Sequence, residues 1–401
     1  MSTQVSPSER TVELPDDPLA SDVAHYLGQD TEISELIAIK NFTNSEFCPR
    51  FLCDEKDLDH IGQSLRGKAV IIVSSCSGEL TRNARAMRTF LVSRAAKDNG
   101  ADRVVLVEPD LFYSAQDRGP NVTQGNVTFT RNVHDYKKFD GQPFSANLYA
   151  DLLRSSGVDV VLTVHNHSVS VQDLFKRTFN GHFFNLTPSE LYASYLVDHE
   201  ANMYPDGRGF VLCAPDRGAT PFTEEVFQYM DESSKSLLGS PKPSLLIMDK
   251  VRSGERKVDI RAHEDSPTRL EDIAGREVVV FDDMVRTGNT IVECCKRLKE
   301  AQARRVVFVV THFNSSPEVK ENLDNPAIDD IITTNTIPSI LNRDMQGRLR
   351  RKMLILKLER WIANALRKDV LHSTEPQYAR PYTVDISRKN PRWRSTLDLQ
   401  D

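Results

Sequence analysis

The chain has 401 residues, of which 39% are hydrophobic and 27% charged, with a net charge of −6. That length predicts two domains with sizeable cores, and the mildly acidic balance gives no reason to expect a nucleic acid or an anionic membrane as partner. There is no apolar run long enough to span a membrane, no signal-peptide pattern at Met1, and no metal-site spacing among the six cysteines, so a soluble, reduced, cytoplasmic protein is expected.

Taken in order, residues 1–22 are polar, carry Pro7, Pro15 and Pro18, and read as a flexible arm. A first domain is expected over 23–186: strand 69–74, helix 83–99 ended by Gly100, strand 103–107, helix 144–156 ended by Gly157, and strand 158–164. The polar stretch 119–142 interrupts this rhythm and reads as an insertion. A second cycle over 187–350 repeats it: helix 189–198, strand 209–214, helix 222–232, strand 244–248, strand 278–281, helix 291–303 and strand 305–310. Residues 351–367 read as a strand and helix packing back on the N-terminal domain, and 368–401 as a C-terminal extension. Strands alternating with helices across Gly-marked turns predict an α/β fold of two tandem, doubly wound domains with central parallel sheets.

One stretch organises the rest. Val278, Val279, Val280 and Phe281 run straight into Asp282 and Asp283, and Thr287, Gly288, Asn289 and Thr290 then open a helix. A continuous apolar run suits a strand covered on both faces, and ligands of such sheets sit outside the carboxyl ends of the strands. The Thr-Gly-Asn-Thr turn can aim backbone N–H groups at a phosphate monoester. The two carboxylates are placed for sugar hydroxyls or hydrated Mg²⁺, and a 5-phosphorylated ribose presents both kinds of group.

This stretch resembles the PRPP-binding motif shared by type I phosphoribosyltransferases and ribose-phosphate pyrophosphokinases (PRPP synthetases). Five further stretches resemble the synthetases in the family's order, covering about 41–365 together. Phe42, Thr43, Asn44, Ser45 and Glu46 are similar to a segment that holds adenine, often across a subunit boundary. Tyr113, Ser114, Ala115, Gln116, Asp117 and Arg118 are similar to an ATP-site loop, with Ala115 where the family has Arg. His165, His167 and Gln172 resemble the stretch linked to metal–ATP, with His165 in the place of an acid. Pro215, Asp216, Arg217, Gly218 and Ala219 resemble a loop whose Asp faces ribose phosphate and Mg²⁺. Asp249, Lys250, Val251 and Arg252 resemble the start of the catalytic flexible loop, continued by 253–257. Arg286 is a third departure, standing where the synthetases usually carry an acid.

The resemblance implies a ribose-phosphate diphosphokinase that makes PRPP and AMP from ATP and ribose 5-phosphate. It assigns ribose 5-phosphate to Asp282, Asp283, Thr287, Gly288, Asn289, Thr290 and Asp216, and ATP to Phe42, Asn44, Glu46, Gln116 and Asp117. It assigns catalysis to Lys250, Arg252 and His167, and Mg²⁺ to His167 and Asp216. A homo-oligomer with subunit-shared ATP sites is implied as well. Two other readings remain open: a PRPP-consuming phosphoribosyltransferase, which the Asp282 loop alone fits equally well, and a non-catalytic regulatory paralogue, which the three departures favour.

Overall fold

The computed structural model describes residues 17–29, 32–76, 80–125, 130–200, 209–236, 242–252 and 258–386. The chain divides into two units, Met1–Leu186 with Ile362–Gln377, and Thr187–Trp361 with Tyr378–Asp401.

The first unit opens with α1 (Pro18–Tyr26), started by the Asp17 carboxylate accepting the Leu19 N–H at 3.1 Å. This helix begins inside the stretch read as an arm, whose residues 1–16 lie outside the described residues. A short α2 (Ile33–Leu36) leads into the antiparallel pair β1 (Ile37–Asn41) and β2 (Phe47–Phe51). Then follow β3 (Ala69–Val73), α3 (Arg82–Asp98), β4 (Arg103–Val107), α4 (Val133–Lys138), α5 (Ser145–Ser156), β5 (Val160–Val164), α6 (Val169–Thr178) and β6 (Phe183–Leu186). Strands β3 to β6 form a parallel sheet in sequential order. The Val/Leu runs of β4 and β5 are buried, each such side chain contributing about 1.5–3 kcal/mol relative to exposure. The stretch 119–142 is not a bare loop. It contains α4, and Arg131 organises it, donating to Gln124 O and Gly119 O at 2.8 Å and pairing with Asp135 at 2.6 Å.

The second unit contains α7 (Ser189–Glu200), β7 (Val211–Ala214), α8 (Thr220–Ser236), β8 (Ser244–Arg252), β9 (Val258–Ala262), β10 (Glu277–Val285), α9 (Asn289–Glu300), β11 (Arg305–Phe313), α10 (Pro317–Leu323), β12 (Asp330–Thr334), α11 (Arg343–Gln346), β13 (Met353–Lys357) and β14 (Thr383–Ile386), while α12 (Glu359–Ala365) starts in it and passes at Ile362 into the first unit. Its sheet runs β14-β13-β12-β11-β10-β7-β8-β9, parallel except for the edge strands β9 and β14. The sheet winds outward through β8 on one side of β7 and through β11, β12 and β13 on the far side of β10. The order therefore reverses between β7 and β10, and that switch point is where α/β sheets hold ligands. The expected unit 351–367 is divided: β13 belongs to this sheet, whereas Ile362–Gln377 belongs to the first unit. Part of the extension 368–401 is likewise sheet, since β14 pairs antiparallel with β13.

Candidate active site

The acid pair lies inside β10 and not in the turn after it, because β11 pairs with β10 from Glu277 as far as Val285. Asp282 and Asp283 are both half-buried, and the Asp283 N–H donates to Asp282 Oδ1 at 3.0 Å. Burial, then the neighbouring Asp283, then Asp216 across the switch point, push the Asp282 pKa well above the usual carboxylate range. Like charges held this way favour a proton, a cation or hydroxyl donors among them.

The loop beyond is shaped for an anion. Gly288 takes φ +83° as the residue before α9, a left-handed conformation that costs other residues about 1–2 kcal/mol. A Cβ there would stand 3.1 Å from Leu323 Cδ2. Having no side chain, Gly288 leaves the first turn of α9 uncapped by its own residue, with the helix dipole's positive end toward the loop. Ile291, Val292, Cys294, Cys295 and Leu298 bury one face of α9 and fix its direction. Asn322 of α10 donates to Thr287 O at 2.7 Å and to Asn289 Oδ1 at 3.0 Å. Asn322 carries no motif; its role comes only from the packing of α10 beside α9. Arg286 is exposed, with Nε 3.3 Å from Met284 Sδ.

On the other side of the switch point, Asp216 follows β7. Its Oδ1 accepts the N–H groups of Gly218 at 2.9 Å and Ala219 at 3.2 Å, so one oxygen starts α8. Arg217 reaches Asp249 of β8 at 3.5 Å and His263 at 2.7 Å. The backbone of Lys250 and Arg252 pairs with Ile260 and Val258 of β9. Their side chains, and residues 253–257, lie outside the described residues.

In the first unit, Phe42, Asn44 and Glu46 form the exposed tip of the β1–β2 hairpin. The tip is closed by Phe42 N donating to Glu46 O at 2.7 Å, and Asn44 Oδ1 accepts the Glu46 N–H at 3.2 Å. After β4, Ala115 and Gln116 are exposed. Asp117 ties this loop to the start of α6, accepting Ser168 Oγ at 2.8 Å and, through its carbonyl, Ser170 Oγ at 2.7 Å. Arg118 pairs with Asp135 of α4 at 3.2 Å, and Arg82 with Asp110. After β5, His167 is exposed, whereas His165 is buried with φ +47°. Gln172 donates to Asn166 O at 2.7 Å and so braces that loop.

His167 belongs to the first unit and Asp216 to the second. Among the described residues, no group of three or more His, Cys, Asp or Glu side chains is arranged to hold a metal ion. An apolar cavity of about 540 Å³ in the first unit is lined chiefly by α1, β1, β3 and α3 and reaches the strand-end loops at Ser74.

Fold and site define a class: an α/β protein of two phosphoribosyltransferase-like units, one of which presents an acid pair and a helix-opening turn at its switch point. Residues 16–157 match the N-terminal domain of ribose phosphate pyrophosphokinase, and 232–376 match the phosphoribosyl synthetase-associated domain. The chain is 26% identical over 308 residues to a ribose-phosphate pyrophosphokinase of Haemophilus ducreyi, covering 77% of this chain and 82% of that protein. It is 27% identical over 321 residues to one of Corynebacterium efficiens, covering 80% and 81%. A phosphoribosylpyrophosphate synthetase structure from Mycobacterium smegmatis shares the fold, with a TM-score of 0.65 at 24% identity over 89% of this chain and 96% of that one. The chain belongs to the ribose-phosphate pyrophosphokinase family. No helix among the described residues is long and apolar enough to cross a membrane.

Proposed function

We propose that the chain is a ribose-phosphate diphosphokinase acting in the cytoplasm on ATP and ribose 5-phosphate. The observation that carries this reading is the pairing of the acids at the end of β10 with the Gly288 turn at the switch point, in a chain of this family. The 5-phosphate is held by the backbone N–H groups of the turn over Thr287, Gly288, Asn289 and Thr290. Asp282 and Asp283 accept hydrogen bonds from the ribose diol, which relieves their mutual repulsion and aims the 1-hydroxyl. That oxygen attacks the β-phosphorus of ATP. The bond from the β-phosphorus to the oxygen shared with the α-phosphorus breaks, AMP leaves with that oxygen, and the hydroxyl proton passes to water. Phe42, Asn44, Glu46, Gln116 and Asp117 serve the nucleotide, Lys250 and Arg252 offset charge on the transferring group, and His167 assists at the phosphates.

Carboxylate oxygens suit Mg²⁺, and Asp216 keeps Oδ2 outside its helix-starting bonds. Asp216 in the second unit and His167 in the first are each proposed as a contact for Mg²⁺, which when bound would offset charge on phosphate oxygens. A homo-oligomer with subunit-shared nucleotide sites accords with the exposed Phe42 tip.

One observation favours a regulatory, non-catalytic relative instead: Ala115 supplies no cation, while Arg82 and Arg118 are engaged by Asp110 and Asp135. Phosphorus NMR of the protein with Mg²⁺, ATP and ribose 5-phosphate separates the readings. PRPP and AMP in equal amounts support the kinase. Ligand binding without turnover in folded protein supports the relative, and consumption of PRPP with a base supports a transferase.

A further inference from the structure

Glu108 follows the last residue of β4 and is fully buried. Its backbone stays in the sheet, donating to Leu162 O at 2.9 Å. Its side chain turns back over the loop that follows. Oε2 accepts the Phe112 N–H at 2.9 Å, and the two oxygens accept from the Tyr149 hydroxyl at 2.9 and 3.1 Å. Tyr149, buried on α5, packs its ring against Phe112, Tyr113 and Phe90 at centroid distances of 6.3, 5.3 and 5.8 Å. Tyr113 itself takes φ +59° and donates its hydroxyl to Asn83 at 2.6 Å. One carboxyl group thus holds both the backbone entry to the segment 113–118 and the ring on which that entry rests. Neither the Val-Val-Leu-Val run before it nor the motif after it calls for an acid at this buried position.

We propose that Glu108, through Phe112 and Tyr149, is a positioning residue for the nucleotide-facing segment 113–118. The inference rests on the assignment of that segment to ATP. The titratable groups around Glu108 are Cys76 after β3, Arg82 at the start of α3, Asp110 and Tyr113 on its own loop, and Tyr149 on α5. Arg82 is engaged by Asp110. Burial pushes the Glu108 pKa up to about 8 and Asp110 adds to it, against the opposing bonds from Phe112 and Tyr149 and the more distant Arg82. Because the folded value is raised, the stabilisation is fully present below the ordinary Glu range and is lost as pH rises through about 8. Above that, a buried anion stands beside Asp110, and its bonds from the Phe112 N–H and the Tyr149 hydroxyl offset only part of that cost, so the segment opens more readily.

The test compares wild type, Glu108→Gln and Glu108→Ala at about pH 7 and about pH 9, by hydrogen exchange of the 108–118 peptide and by calorimetric dissociation constants for ATP and ribose 5-phosphate. Wild type should lose protection in 108–118 and several-fold in ATP affinity at the higher pH, with ribose 5-phosphate unmoved. Glu108→Gln, which keeps the shape without the ionisation, should hold its protection and ATP affinity at both. Glu108→Ala should be poorly protected at both. Glu108→Gln responding to pH as wild type does, or Glu108→Ala as ordered as wild type, overturns the proposal. Exchange that behaves as stated with ATP affinity unmoved contradicts the nucleotide assignment of 113–118 and leaves the Glu108 tie standing.

Discussion

The loops after β10 and after β4 both leave the carboxyl ends of central parallel strands, yet they are built in opposite ways. The β10 loop directs its chemistry outward: two half-buried carboxyls, of which Asp283 raises the proton affinity of Asp282, and a left-handed glycine that opens the first turn of α9. The β4 loop spends its polar groups internally, with Glu108 on Tyr149, Asp110 on Arg82, Asp117 on Ser168 and Arg118 on Asp135. The first has free energy to gain from a ligand, because a diol or cation relieves its repulsion. The second gains order from its own contacts, so a nucleotide there must compete with them or use the exposed Ala115–Gln116 edge. On the proposed reading, this difference suits the loop of the second unit to the sugar phosphate and leaves the nucleotide to the exposed edge of the first unit's loop.

The largest effect should come from the acids. Replacing both Asp282 and Asp283 by Ala should lower kcat/KM for ribose 5-phosphate by about a hundred- to a thousandfold with little change in ATP binding; comparable losses for both substrates in steady-state kinetics would erase the contrast between the loops. Gly288→Ala adds a Cβ at φ +83° facing Leu323, and should raise the KM for ribose 5-phosphate about tenfold, as about 1–2 kcal/mol of backbone strain implies. An unchanged KM in folded protein would mean that the turn does not hold the phosphate.

Ala115→Arg sharpens the other side. A guanidinium on the exposed edge of the β4 loop should raise kcat/KM for ATP about tenfold while leaving ribose 5-phosphate alone, if phosphate contact there is what the loop lacks. The smallest effect is on stability. The folded pKa of Asp282 is raised, so its contribution is greatest below the ordinary carboxylate range and is lost as pH rises through the folded value. Asp282→Asn, which never ionises, should therefore melt a few degrees above wild type near neutral pH and level with it at about pH 4, although catalysis suffers. Equal melting curves at both pH values would show that the acid pair is not strained.

What the sequence made legible follows from local causes. Val278 to Phe281, the acids and the Thr-Gly turn announce strand, ligand edge and helix start, because each rests on residues within a few positions of one another. The sequence places the acids after the strand and just before the Thr-Gly turn, but strand length is decided by the partner: β11 keeps pairing β10 to Val285, and nothing in 282–285 says so. Asn322 was invisible for the same reason, since it meets Thr287 from 35 residues away. The stretch 119–142 reads as an insertion by composition, and a single buried Arg131 with carbonyl and carboxylate partners organises its described residues, which composition does not announce. The tail strand Thr383–Ile386 is an edge strand with no apolar run of its own, and only its pairing with β13 reveals it.

The division of labour is tested most directly by hydrogen exchange with each substrate added alone. Ribose 5-phosphate should protect the peptide spanning 282–292 and leave 108–118 unchanged, whereas a non-hydrolysable ATP analogue should protect 108–118 and the hairpin tip 42–46. Protection of 282–292 by the nucleotide analogue alone, or none there with ribose 5-phosphate, would contradict the account.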